Sequence, residues 1–134
     1  MTKVIVADDD ETIRMLVRVL LQRAGFEVSE AKNGQEALAL AEELQPAVLI
    51  VDSMMPVMDG METITRLQAN PVTKDIPTLM LSGRRGSEDI VSALREGADD
   101  YITKPFDRAE LIERVRRLAA TAQPDMTDGA RAVS

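Results

Sequence analysis

Val48-Leu49-Ile50-Val51-Asp52, followed by Ser53-Met54-Met55-Pro56-Val57-Met58-Asp59-Gly60, decides how the chain is read. Four aliphatic residues in a row, β-branched Val and Ile among them, predict a strand buried on both faces. The run breaks on a carboxylate and enters a loop marked by Pro, Asp and Gly. A charge at the carboxyl end of a buried parallel strand stands where open α/β sheets do their ligand chemistry. Alone, a strand-end Asp more often turns the chain or caps a helix. The ends of the other strands decide between the two.

Working outward, Lys3-Val4-Ile5-Val6-Ala7 predicts a first buried strand, and it too breaks on carboxylates, Asp8-Asp9-Asp10. Asp10 reads as the cap of the next helix. Ile13, Leu16, Val17, Leu20 and Leu21 recur at helical spacing, with Arg14, Arg18 and Arg23 off that stripe, and Gly25 closes the helix. Phe26 to Ala31 alternates as a half-exposed edge strand should. Asn33, with Glu36 three residues on, caps a helix buried through Ala37, Leu38, Ala41 and Leu44.

After the central strand, Met61, Ile64 and Leu67 place a helix that Asn70-Pro71 stops. A strand over Ile76–Leu81 ends at Ser82, and Gly83 and Gly86 then frame Arg84-Arg85. Ser87 is expected to cap a helix buried through Ile90, Val91 and Leu94, closed by Gly97. The short strand Tyr101-Ile102-Thr103 precedes Lys104-Pro105. Asp107 and Glu110 open a last helix buried through Leu111, Ile112, Val115 and Leu118. Residues 1–121 therefore read as one domain, and 122–134 as a flexible tail or linker stub.

Five strand–helix pairs in strict alternation predict a parallel sheet with helices on both faces. Four of the five strand ends carry reactive groups: Asp8-Asp9, Asp52, Ser82 and Lys104. A parallel sheet brings all of them to one edge. The second strand lacks such a group, which suits a place at the rim of the sheet.

Composition narrows the chemistry. The 134 residues contain no cysteine and no histidine, which excludes thiolate and histidine metal sites, a Ser-His-Asp triad and a phosphohistidine within this chain. A net charge of −7 argues against direct nucleic-acid binding. No signal peptide or membrane-spanning apolar run is legible, so a cytoplasmic location without membrane insertion is expected. Oxygen ligands remain, and these suit hard cations such as Mg²⁺, or Mn²⁺.

Carboxylates gathered at one edge need compensation. Two like charges ~4 Å apart repel by roughly 4 kcal/mol at a surface-like dielectric. A proton, a lysine or a divalent cation must relieve that. Lys104 offers a compact positive charge, Ser82 a hydroxyl for a phosphoryl oxygen, and Asp52 a nucleophile of the aspartyl-phosphate kind.

Taken together, Val6-Ala7-Asp8-Asp9, Val51-Asp52 with Met55-Pro56 and Asp59-Gly60, Leu81-Ser82-Gly83, and Tyr101-Ile102-Thr103-Lys104-Pro105-Phe106 carry a resemblance. From about Lys3 to Thr121 the chain resembles the receiver domain of bacterial two-component response regulators. The resemblance implies a doubly wound (βα)5, flavodoxin-like fold with strand order 2-1-3-4-5. It implies a regulatory phosphoacceptor rather than an enzyme: Asp52 takes a phosphoryl group from a histidine kinase or histidine phosphotransfer protein. Mg²⁺ would be held by Asp9, Asp52 and the Met54 backbone carbonyl, and by Asp8 through water.

The same resemblance pairs Lys104 with the phosphoryl group and makes the Lys104-Pro105 bond cis. It assigns Ser82 and Tyr101 as the switch pair. On phosphorylation Ser82 moves toward the phosphoryl oxygen and Tyr101 turns inward, altering the face of the fourth helix, fifth strand and fifth helix. Through that face the domain would act on a protein target as a monomer or weak dimer. Met54 and Arg84 flank the phosphoryl site, and an apolar chain and a long cation there predict a persistent phosphoryl group.

Other classes fit less well. A haloacid-dehalogenase-like phosphatase needs a second acid two residues past its nucleophile, where this chain has Met54. A flavin-binding module needs a phosphate-cradling loop where this chain has Asp8-Asp9-Asp10. Within the receiver reading, a phosphorelay intermediate and the excised front of a longer regulator both stay open.

Overall fold

A computed structural model of the chain describes residues 1–122; the predicted tail falls, from residue 123 on, outside the described residues. The elements are β1 (Lys3–Ala7), α1 (Glu11–Arg23), β2 (Glu27–Ala31), α2 (Gly34–Leu44), β3 (Val48–Val51), α3 (Gly60–Ala69), β4 (Thr78–Ser82), α4 (Ser87–Arg95), β5 (Asp100–Thr103) and α5 (Arg108–Ala122). All strand pairings are parallel and the order is β2-β1-β3-β4-β5. The expected (βα)5 fold and strand order are both present.

Strand alternation divides the core into two layers. Val4, Val6, Val48, Ile50, Leu79 and Leu81 point to one face, where Val17 and Leu21 of α1 and Leu111, Val115 and Leu118 of α5 cover them. Ile5, Ala7, Leu49, Val51 and Met80 point to the other, beneath Ala37 and Ala41 of α2, Ile64 and Leu67 of α3 and Ala93 of α4. Each fully buried Leu or Ile contributes about 1.5–3 kcal/mol. Central β3 is buried throughout, as its unbroken aliphatic run requires. β2 at the rim is only half-buried along most of its length.

Local signals behave largely as read. Asp10 caps α1, accepting from the amides of Thr12 and Ile13. Asn33 caps α2 at 2.9 Å, while Glu36 reaches back to the amide of Lys32. Gly25 and Gly97, at φ +102° and +131°, supply the left-handed residues that close α1 and α4. The Lys104-Pro105 bond is cis, as the resemblance implied. β4 begins at Thr78, two residues later than predicted, because Pro77 has no N–H to give a ladder.

Three expectations need correction. Ser87 does not cap α4: Gly86 is the cap residue, and no side chain among the described residues caps the helix start. Val91 and Leu94, expected in the core, are 48% and 42% exposed. α4 covers the rim of the sheet through Ala93 and Ile90, so its apolar stripe is wider than the surface it meets. On α1, Leu16 is 43% exposed, and Arg14, placed off the stripe, is buried.

Candidate functional site

The carboxyl ends of β1, β3, β4 and β5 share one edge, and the loops that leave them build an acidic hollow. Asp8, Asp9 and Asp52 each offer an oxygen within 4.8 Å of the others. Asp8 and Asp52 are buried and Asp9 is exposed. Lys104, from the other end of the chain, sets its Nζ 2.9 Å from Asp8 Oδ2 and 3.4 Å from Asp52 Oδ1. Residues 96 positions apart therefore meet as the sheet register demands.

These groups perturb one another. Burial, and then the charge of Asp8, raise the Asp52 carboxyl above its ordinary value; Lys104 and the Met54 N–H pull it down without cancelling the rise. Burial works against the Lys104 ammonium, but the hydrogen bond and charge of Asp8, with Asp52 behind it, outweigh that. Its pKa is held above the lysine norm. The site thus carries more negative charge than one lysine balances.

Asp8 is tied at every polar atom. Its N–H donates to Ala31 O at 3.1 Å. Its carbonyl accepts from Arg14 at 2.8 Å, Oδ1 accepts from the Asp10 amide and Oδ2 from Lys104. Asp9 has the accessible carboxylate of the three.

The loop after β3 is held close by Gly60. A Cβ there would sit 2.4 Å from the Asp52 carbonyl oxygen and 2.9 Å from Ser53 Cα, so only glycine lets α3 start against the strand end. The Gly60 amide donates to Ser53 O at 3.0 Å. Asp59 caps α3 through the amide of Glu62. Val57 in the same loop has φ +74°, a conformation that a β-branched residue adopts only under strain.

Ser82 and Tyr101 lie beside the acidic trio rather than within it. Ser82 Oγ shares a hydrogen bond with Ser53 Oγ and accepts the Arg84 amide. Tyr101 packs inward, 8% exposed, its hydroxyl donating to Arg84 O at 2.7 Å, so the position expected to follow phosphorylation is the one this structure already holds. A cleft of about 230 Å³ opens between Ser53, Tyr101 and α4, with Met54, Met80 and Arg84 in its wall. Met54 Sδ accepts from Arg84 Nη2 at 3.1 Å, so the two flanking side chains meet.

Two contributors escaped sequence reading. Ser53 was available as a hydroxyl directly after the strand-end acid. Arg14 carried no such signal, because its helical position pointed to solvent until β2 was placed beside α1.

Comparisons with known proteins agree with this geometry. The chain is 44% identical over 124 residues to the transcriptional regulatory protein PrrA of Mycobacterium leprae, covering 90% of this chain and 52% of that protein. It is 42% identical over 118 residues to the DNA-binding dual master transcriptional regulator RpaA of Synechocystis, covering 88% of this chain and 49% of that protein. The chain thus spans about half the length of these curated relatives. Among solved structures, the receiver domain of the Francisella response regulator 1452 superposes with TM-score 0.86 at 34% identity, over 92% of this chain and 100% of that one. A family model for the response regulator receiver domain matches residues 4–116. With the strand order and the sheet-edge carboxylates already in view, the chain belongs to the response regulator receiver domain family.

Proposed function

We propose that the chain is the phosphoacceptor switch of a two-component system, with Asp52 as the accepting residue. The observation that carries this is the gathering of Asp8, Asp9 and Asp52 around Lys104 at one sheet edge. The donor is a phosphohistidine on a histidine kinase or a histidine phosphotransfer protein, since this chain has no histidine. An Asp52 oxygen forms the new O–P bond as the N–P bond of the donor breaks. The electron pair of that bond stays on the imidazole, which leaves neutral with the proton on its other nitrogen.

The donor set fits a hard divalent cation: oxygen ligands only, close together, with one exposed carboxylate to admit it. Asp9 and Asp52 would hold Mg²⁺ or Mn²⁺ with the Met54 carbonyl. Asp8, whose two oxygens are already bonded, would act through water. Bound there, the cation supplies neutralisation of charge on the transferring oxygens. Lys104 Nζ reaches a phosphoryl oxygen from the side of Asp8 and Asp52.

Ser82 then exchanges its bond to Ser53 for one to the phosphoryl group. Arg84 and Tyr101 are joined to Ser82 through the Arg84 main chain, so the exchange biases the packing of α4, β5 and α5. The output is a protein contact made through that face, by a monomer or a weak dimer, in the cytoplasm. The half-length match to transcriptional regulators supports a second reading, in which this receiver is the front end of such a protein.

Incubation with a small-molecule phosphodonor and Mg²⁺ should give a phosphoryl adduct by mass spectrometry, absent after chelation and absent in Asp52→Asn. An adduct that survives in Asp52→Asn would overturn the assignment. Beryllofluoride with Mg²⁺ should alter the fluorescence of Tyr101, the single tyrosine in a chain without tryptophan.

A further inference from the structure

We propose that Arg14 is a positioning residue for the acidic site, fixing the Asp8–Asp9 peptide while Glu30 of the edge strand aims its guanidinium. The proposal rests on the phosphoacceptor reading of that site. Arg14 is 8% exposed, a burial that a guanidinium tolerates only when its donors are satisfied. Nε donates to Glu30 Oε1 at 2.8 Å, and Nη1 donates to the Asp8 carbonyl at 2.8 Å. The other oxygen of Glu30 lies 2.6 Å from Arg18 Nε without hydrogen-bond geometry, so the carboxylate faces cations on two turns of α1 while its hydrogen bond goes to Arg14.

The acceptor that Arg14 chooses matters. It bonds the main chain of Asp8 rather than its carboxylate. That carbonyl belongs to the peptide leading into Asp9, the exposed acid of the trio. Holding the peptide plane sets the direction in which Asp9 leaves the backbone. Glu30 meets the charge of Arg14, so what reaches the site is orientation. A planar fork serves two acceptors at a fixed angle, which a lysine ammonium on a flexible stem cannot do.

A purely structural arginine, tying α1 to β2, would lower stability and leave cation affinity alone. Titration calorimetry with MgCl₂ on the full chain separates the two, with urea unfolding in chelator measuring the fold. Arg14→Met, which keeps the aliphatic length, should weaken Mg²⁺ binding by about tenfold or more, as loss of outer-shell partners does. Arg14→Lys should fall between it and the wild type. Glu30→Gln should weaken binding less, and should add nothing to Arg14→Met, because Glu30 acts through Arg14.

A folded Arg14→Met protein that binds Mg²⁺ within about twofold of the wild type overturns the proposal. So does a Glu30→Gln effect that adds fully to it. If Arg14→Met does not fold, wild-type affinity in both Arg14→Lys and Glu30→Gln is the overturning result. A wild-type chain that does not bind Mg²⁺ fails differently, by removing the phosphoacceptor reading itself.

Discussion

At the scale of single residues, Asp52 is costly to the fold it serves. Burial and Asp8 raise its carboxyl pKa in the folded chain, so Asp52 stabilises most fully below the unfolded pKa. That contribution is lost as pH rises through the folded value. At pH 7 without divalent cation, Asp52→Asn should therefore be more stable than the wild type. About 1 kcal/mol is expected, the repulsion of two charges ~4 Å apart even in water. Urea midpoints should converge as pH falls and Asp52 takes up its proton; a gap independent of pH contradicts the account. Met54 and Arg84 pose a second question. Their side chains meet at 3.1 Å beside Asp52, and Met54 is 58% exposed. Replacing both with polar or acidic side chains should speed phosphate loss by about tenfold, or about 1.4 kcal/mol of barrier. Equal decay rates for the two proteins would remove the obstruction argument.

At the scale of elements, the β3–α3 loop joins close packing to strain. Gly60 lets the helix start against Asp52, whereas Val57, 76% exposed as a residue, holds φ +74°. The left-handed conformation costs about 1–2 kcal/mol for a residue with a Cβ, and the added freedom of glycine in the unfolded chain returns part of that. Val57→Gly should stabilise by about 0.5–1 kcal/mol, and a midpoint unchanged or lowered in urea would show that the loop holds no such strain. α4 is the opposite case. Its first turn lacks a side-chain cap, and Val91 and Leu94 face outward. Periodicity marked the helix correctly, but a stripe says which residues share a face and not how much of that face the sheet can cover.

At the scale of the whole molecule, the edge where four strands end is where cation binding should couple to folding. A cation that binds only the folded site stabilises by mass action, about 2.7 kcal/mol at a hundred times its Kd. Mg²⁺ should raise Tm for the wild type and do little for Asp9→Asn or Asp52→Asn; equal shifts in all three would place the cation elsewhere. Much of this was determined by sequence alone. Apolar runs that break on Asp8, Asp52, Ser82 and Lys104 named the strands, their parallel alternation and the edge where these side chains gather, because strand periodicity, buried aliphatic runs and caps are local properties. What only the tertiary structure decided depends on neighbours distant in the chain. Arg14 is buried because Glu30 on β2 and the Asp8 carbonyl accept from its Nε and Nη1, and Ser53 is joined to Ser82 because β3 and β4 lie side by side. Tyr101 is inward because its hydroxyl finds Arg84 O across the turn after β4. A side chain's partner is set by three-dimensional register, and no spacing along one segment encodes it.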